Sequence, residues 1–338
     1  MKRNVRRWPC VLLLAASLVA TGVSAMPYLA AYRQAVAANE AVAAVQAAQR
    51  AQESDSQGDS PPSTMEPEPE PEEAKDPLLA AMEEYNQHLA QYQQLESAED
   101  YATPGLDLYE FGLAADAPVG YLTIPAMDLQ LPVYLGATRG NLDKGAAVLG
   151  QTSMPVGGEN TNCVIAAHRG WRGAAMLRDI ERLALGDVVQ LDNLWGTLTY
   201  EVVEVRIIQP DEVEAVKIQE GRDLLTLVTC HPYLSSAYRY IVRCQRVEPQ
   251  APADGENTGS TPAPALPSSV PDQDVGPWGT PAPADSSQKK IQVEQCLQGI
   301  SLGLSIGSTV VSGTYFWIER RKKWMKSTSA PPKSGRSA

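Results

Sequence analysis

Histidine is scarce in this chain, with three among 338 residues, so each can be weighed individually as an acid or base. Positive charge is also short. Lys and Arg number 28 against 40 Asp and Glu, giving a formal net charge of -12 and a pI near 4.8. No basic stripe crosses the central region, which excludes a nucleic-acid surface. Cys163, Cys230, Cys244 and His168 lack the paired short spacings of a zinc site, so no metal is expected. No internal repeat is evident. An apolar pattern is missing from the acidic, Pro-rich ESDSQGDSPPSTMEPEPEPEEAKD and from the Pro-rich stretch after Val247. Such segments bury too little apolar surface to fold, and read as a disordered linker and an extended stalk. The packed core is therefore confined to the middle of the chain.

What is present at the ends points to a membrane. MKRNVRRWPCVLLLAASLVATGVSA joins a basic start to an apolar run and a small-residue end at Val23, Ser24 and Ala25. Residues 1–27 thus read as a secretory signal or an uncleaved anchor, and either implies export. Gly299 to Ile318 carries no charge, and the basic ERRKKWMK follows it. Residues 297–318 are therefore read as a transmembrane helix and 319–338 as a cytoplasmic tail, with Trp317 and Trp324 near the interface. A buried apolar helix is the competing reading, and the basic flank argues against it. Residues 28–76 combine an Ala- and Gln-rich helix-prone stretch with the acidic linker. In 77–118, Leu78, Leu79, Met82, Tyr85, Leu89 and Tyr92 follow helical spacing from Pro77 toward Glu99. This helix is expected to pack on the core, with a lid candidate after it at Asp100-Tyr101. A stalk follows the core at 248–290.

The core, 119–247, is strand-dominated: GYLTIPAM, LQLPVYLG, AAVLG, NCVIAAH, DVVQLDN, GTLTYEVVEVRIIQ, LLTLVTC and YRYIVRCQRV. Eight short strands separated by turn residues predict a mainly β fold, a small closed barrel. Pro125 and Pro132 mark edges or bends, and Arg172 to Leu185 is the one helix expected inside the barrel sequence, stopped by Gly186.

Cys230 ends an apolar, β-branched run and precedes a Pro-containing loop, a place that fixes the backbone and leaves a sulfur reachable. An ordinary cysteine is mostly neutral at pH 7, so a nucleophile here needs a partner. His168, closing NCVIAAH, is the better candidate, against the bland alternative of an ordinary strand-end histidine. His88 lies on a polar helix face, and His231 points away from Cys230 if the strand continues, because neighbouring side chains alternate. A tetrahedral oxyanion needs a fixed donor, and guanidinium supplies several in one plane. Arg239 and Arg243 share a strand face, but Arg243 lies about 13 Å further along at strand rise, so Arg239 is chosen. Arg169, Arg172 and Arg178 are read as surface charges. Cys163 and Cys244 are expected as core residues, with a disulfide between them as the alternative. Trp171, Trp195 and Tyr233 are groove candidates.

These residues resemble the sortases, specifically the pilin-polymerising class C branch. The resemblance rests on TLVTC at 226–230 with Pro232 and Tyr233 behind it, Arg239 nine positions past the cysteine, AAHRG at 166–170, GYLTIP, LPVYLGA, GQTSMPVGGENTN and LALGDVVQL. It implies an eight-stranded sortase barrel with Cys230 as nucleophile, His168 as acid and base, and Arg239 as substrate and oxyanion clamp. Thr229 and Tyr233 would contact substrate. It also implies no cofactor and a transpeptidase at the outer face of a Gram-positive cell membrane. That enzyme would act on LPxTG-like sorting signals of secreted proteins and transfer them to a pilin lysine or, as in housekeeping relatives, to a cell-wall precursor. A catalytically silent wall-associated binding protein is the reading from another class. The family's lid motif is not matched: Asp76-Pro77 is followed by Leu78 and stands before the helix.

Overall fold

The computed structural model describes residues 8–56, 75–92, 101–171, 173–247 and 285–328. Residues 57–74 of the acidic linker, Asp100, most of the stalk and the last ten residues lie outside this set. The chain divides into two compact units, residues 1–31 with 289–338, and residues 32–288.

The larger unit is built on a closed barrel of eight strands: β1 (Gly120–Ile124), β2 (Leu129–Leu135), β3 (Ala146–Val148), β4 (Thr161–Ala166), β5 (Val188–Asn193), β6 (Gly196–Ile208), β7 (Asp223–His231) and β8 (Tyr238–Arg246). They close in the order β1-β2-β3-β4-β7-β8-β6-β5. All eight expected strands are present. Alternation along each strand sorts side chains to two faces. Cys163, Ile165, Leu225, Leu227, Tyr240 and Val242 fill the interior. Val164, Val228 and Ile241 point outward into a second, smaller apolar cluster with Ile208, Ala215 and Val216.

Two pairings are parallel, β2 with β3 and β4 with β7; the others are antiparallel. Parallel β4 and β7 leave the barrel at the same end, and β8, antiparallel to β7, begins there. Three chain segments therefore meet at one mouth. The prolines behave as expected of residues lacking an N–H donor. Pro125 opens a one-turn 3₁₀ helix, Pro125–Met127. Pro132 sits in β2 opposite Tyr121, one residue before the pairing with β3 begins at Val133.

The helix expected over 172–185 does not form among the described residues, 173–185. Gly173 and Met176 have positive φ, and only Ile180–Arg182 is helical, as a single 3₁₀ turn. Burial decides this. Met176, Leu177, Ile180 and Leu183 all enter the core from this segment, 2% exposed or less for the first three. Apolar side chains reaching into the barrel from a chain of turns replace the one-sided stripe that a helix would offer.

Helix α1 (Trp8–Ser56) runs unbroken through the 27/28 position, with Pro27 inside it. Its later part packs Val42 and Val45 on Tyr121. Helix α2 (Pro77–Tyr92) is capped by Asp76, whose carboxylate accepts from the N–H groups of Leu78 (2.8 Å) and Leu79 (3.3 Å). It buries Leu78, Met82, Asn86 and Leu89, whereas Tyr92, expected on this face, is exposed. Asn86 exchanges two hydrogen bonds with the Met154 backbone, 2.6 and 3.3 Å, which fixes α2 to the β3–β4 connection. Helix α3 (Arg139–Lys144) is a short turn between β2 and β3.

In the smaller unit, the first part of α1 lies antiparallel to α4 (Asp285–Thr328), joined by hydroxyls: Ser17 to Ser308 and Thr309 (both 3.0 Å), Thr21 to Thr309 (2.8 Å), and Ser24 to Ser305 (3.0 Å). Two stretches, Val11–Gln52 and Lys289–Ile318, are long and apolar enough to cross a membrane.

Candidate active site

Cys230 is the next-to-last residue of β7. Its cross-strand partner in β8 is Arg239. On the other side, β4 pairs Ala166 with Val228, and the Ala167 N–H still donates to the Val228 carbonyl at 3.2 Å. The β4–β7 register ends there, with His168 two residues past Ala166 and Cys230 two residues past Val228. Cys230 and Arg239 occupy outward positions of their strands, Cys230 in the Val228 row and Arg239 in the Ile241 row, while His168 follows the end of β4 by two residues, in step with Val164 and Ala166. The histidine, cysteine and arginine chosen from sequence are thus placed on consecutive chains at one mouth, with the cysteine in the middle.

Each is held differently. The His168 ring stacks on Trp171, centroids 4.5 Å apart with planes at 20°, so Trp171 does reach the site. Arg239 donates to the carbonyls of Ser236 (3.0 Å) and Tyr238 (3.1 Å), which keeps its guanidinium at the start of the strand. Arg243, the rejected alternative, is committed elsewhere, to Glu204 and the Ala215 carbonyl.

Tyr101 joins the outward cluster beside Val228 and Ile241, its backbone carbonyl accepting from the N–H groups of Ala137 and Gly150 (both 2.9 Å). Burial pushes its phenol pKa up, and the nearby Arg239 charge opposes that rise. The lid candidate of the sequence thus packs Tyr101 on the outward cluster that includes Val228 and Ile241.

The residues facing the other way form a second layer. Arg169, expected at the surface, is 5% exposed. Alternation turns it inward from His168, just as it turns His231 inward from Cys230. The two meet: Arg169 Nη1 donates to His231 Nδ1 at 2.7 Å, which requires the tautomer with its proton on Nε2, and reaches the Cys230 carbonyl at 3.4 Å. Glu181, from the 3₁₀ turn, closes the network with Arg169 at 2.5 Å and with His231 at 3.6 Å. Burial and the Arg169 charge hold the His231 pKa below its ordinary value, against the pull of Glu181. The neighbours of the two reacting residues are thus tied together behind them. Sequence reasoning missed this network; the signal for it was alternation itself, which applies to Arg169 as it did to His231.

Thr229 also faces inward. It is 2% exposed, and its hydroxyl donates to the Ala167 carbonyl at 2.8 Å. It fastens β7 to β4 and does not line the outer groove. Tyr233, 8% exposed, lies near Gly170 in the His168 loop, while Trp195 sits in the β5–β6 turn against the barrel core. Cys163 and Cys244 are free and buried. Leu225 stands between them in the register, which sets their strands two spacings, about 10 Å, apart, beyond the ~7 Å reach of a disulfide. Burial pushes both thiols up, Cys244 to about 12 and Cys163 further, which makes them poor nucleophiles. Among the described residues no cluster of His, Cys, Asp and Glu could hold a metal.

Residues 122–247 match the family model of the sortase domain. The chain is similar to sortase D of Bacillus subtilis, 31% identical over 131 residues, covering 38% of this chain and 63% of that protein. It is also similar to sortase A of Bacillus anthracis, 32% identical over 124 residues, covering 37% and 57%. It therefore spans less than two thirds of the length of these curated relatives. Among solved structures, Streptococcus pneumoniae sortase C is 35% identical, covering 51% of this chain and 91% of that one, with a TM-score of 0.45. Sortase C-1 of Actinomyces oris is 31% identical, covering 50% and 96%, with a TM-score of 0.46.

Proposed function

The chain belongs to the sortase family, and from that premise we propose that it is a membrane-anchored cysteine transpeptidase of the pilin-polymerising kind, acting at the outer face of the cell membrane. Cys230 attacks the threonine carbonyl of an LPxTG-like sorting signal. As the sulfur–carbon bond forms, the carbonyl becomes an oxyanion, and Arg239 donates hydrogen bonds to it. Collapse breaks the Thr–Gly bond; the His168 imidazolium gives its proton to the departing glycine amine and is left neutral. An incoming amine then attacks the thioacyl carbon, passes a proton to His168, and releases the thiolate. Charge and protons balance over the cycle, with no metal or cofactor required.

The observation that carries this reading is the shared mouth: His168 follows β4, Cys230 closes β7 and Arg239 opens β8, and these neighbouring strands end or begin at the same end of the barrel. Tyr101, packed against the outward cluster next to Val228 and Ile241, acts as the lid that substrate displaces. The stretches at 11–52 and 289–318 tether the enzyme, the basic residues after Ile318 facing the cytoplasm. A pilin lysine is the acceptor. A cell-wall precursor amine is the second acceptor that the test below separates from it.

The full-length protein in detergent is expected to cleave an LPxTG-like peptide and join it to a lysine-bearing pilin segment. Cys230→Ala and His168→Ala abolish the reaction, and His231→Ala retains the chemistry at reduced stability. Cleavage that survives Cys230→Ala rejects the mechanism. Transfer to a wall-precursor amine with none to lysine selects the second acceptor.

A further inference from the structure

The chain order around the mouth does not stop at the histidine. β3 lies beside β4 on the side away from β7, and α3 leads directly into β3. Ala147 of β3 pairs with Ala166, so the residues just before β3 approach His168. Asp143, in the last turn of α3, places Oδ1 3.6 Å from His168 Nε2, with both side chains about 30% exposed. Each of these two atoms is itself shut off from solvent and has no hydrogen-bond partner among the described residues.

The position of that carboxylate is strongly determined. Thr138 caps α3 by accepting from the Asn141 N–H at 3.1 Å. The Asn141 amide donates to the carbonyls of Leu135 (2.9 Å) and Gly136 (3.0 Å) at the end of β2. Gly145, directly after the helix, packs so closely that an added Cβ would lie 2.5 Å from the Pro132 carbonyl. The Asp143 carbonyl accepts from Gln34 at 3.0 Å. The neighbouring cations do not neutralise the carboxylate: Lys144 pairs with Asp116 and Arg169 with Glu181.

We propose that Asp143 is a positioning residue for His168, so that carboxylate, imidazole, thiol and guanidinium form one row across α3, the loop after β4, β7 and β8. This rests on the reading of His168 as the acid and base given above. The carboxylate orients the ring against the Trp171 stack, so that the imidazole faces the leaving amine it must protonate. Contacts of this kind are commonly long in the free enzyme and tighten with substrate. The four-residue row was not legible in the sequence, because α3 is 25 residues before His168 and its aspartate belongs to no motif.

The test uses leaving groups. In full-length protein, Asp143→Asn is expected to lower the rate of amide cleavage by roughly 10- to 100-fold, carried by kcat. An activated ester of the same peptide, whose leaving group needs no proton, is expected to lose less than about threefold. Asp143→Glu should recover part of the amide rate. Equal losses on both substrates, or none on either, overturn the proposal. A readout independent of turnover separates this from failure of the sortase reading. With three histidines in the chain, the His168 Nε2 resonance is resolvable by NMR, and Asp143→Asn should move it while leaving His88 and His231 in place. An unmoved His168 resonance also overturns the proposal, whether or not the protein cleaves peptide.

Discussion

Glu181→Gln removes one charge from the buried layer behind the site and keeps its shape. Arg169 and Glu181 have side chains 2% and 3% exposed and meet at 2.5 Å. Breaking a buried pair by removing one partner costs about 3–5 kcal/mol, because the remaining charge is left uncompensated. Arg169 would keep two acceptors, His231 Nδ1 and the Cys230 carbonyl, which places the loss at the lower end, about 3 kcal/mol. For a domain of this size each kcal/mol lowers Tm by about 2–4 °C, so the fall should be about 6–12 °C. Thermal unfolding of the full-length protein in detergent, followed by tryptophan fluorescence, measures it. Arg169→Met combined with Glu181→Leu should recover part of the loss, since no buried charge is left uncompensated, while His231 Nδ1 loses its donor. A Glu181→Gln midpoint within about 2 °C of wild type would refute the view that this pair is buried and coupled.

The same layer makes stability depend on pH. His231 has its folded-state pKa held below the ordinary 6.5, so the unfolded chain takes up a proton at higher pH than the folded one. Stability is therefore full above about 6.5 and falls as pH drops from there through the lower folded value. His231→Gln should flatten that part of the stability curve, and an unchanged acid slope would exclude His231 as its source. Thiol chemistry gives a third prediction. At pH 8 in the folded protein, iodoacetamide should label Cys230 and leave Cys163 and Cys244 unmodified until denaturant is added, read by peptide mass spectrometry; native labelling of Cys163 or Cys244 would contradict their placement in the core.

Strands were the most legible level of this molecule, because alternation and β-branched runs are local signals. The barrel's order was not in any one segment: β4 pairs with β7 across two intervening strands, a contact set by closure of the sheet. The preference for His168 over His231 and for Arg239 over Arg243 rested on side-chain parity and strand rise; the register pairs Cys230 with Arg239 and Thr226 with Arg243, and the roles themselves are a matter for the experiments above. Arg169 was misjudged by the opposite habit, reading a charge next to a functional residue as solvated without asking which way it faced. The segment 172–185 was misread as a helix because its buried residues arrive through positive-φ turns at Gly173 and Met176, which hydrophobic spacing does not reveal. Asp143 and Glu181 were invisible for a simpler reason. Each reaches its partner from a separate element, and only the closed barrel brings them within range.

The most direct test is the mass of the intact protein after rapid acid quenching of a reaction with a sorting-signal peptide and no acceptor amine. A thioester adduct equal to the peptide up to its threonine, mapped to Cys230 and discharged by an added amine, is the predicted result. Turnover of the peptide with no adduct on Cys230, or an adduct on another residue that persists in Cys230→Ala, would contradict the account.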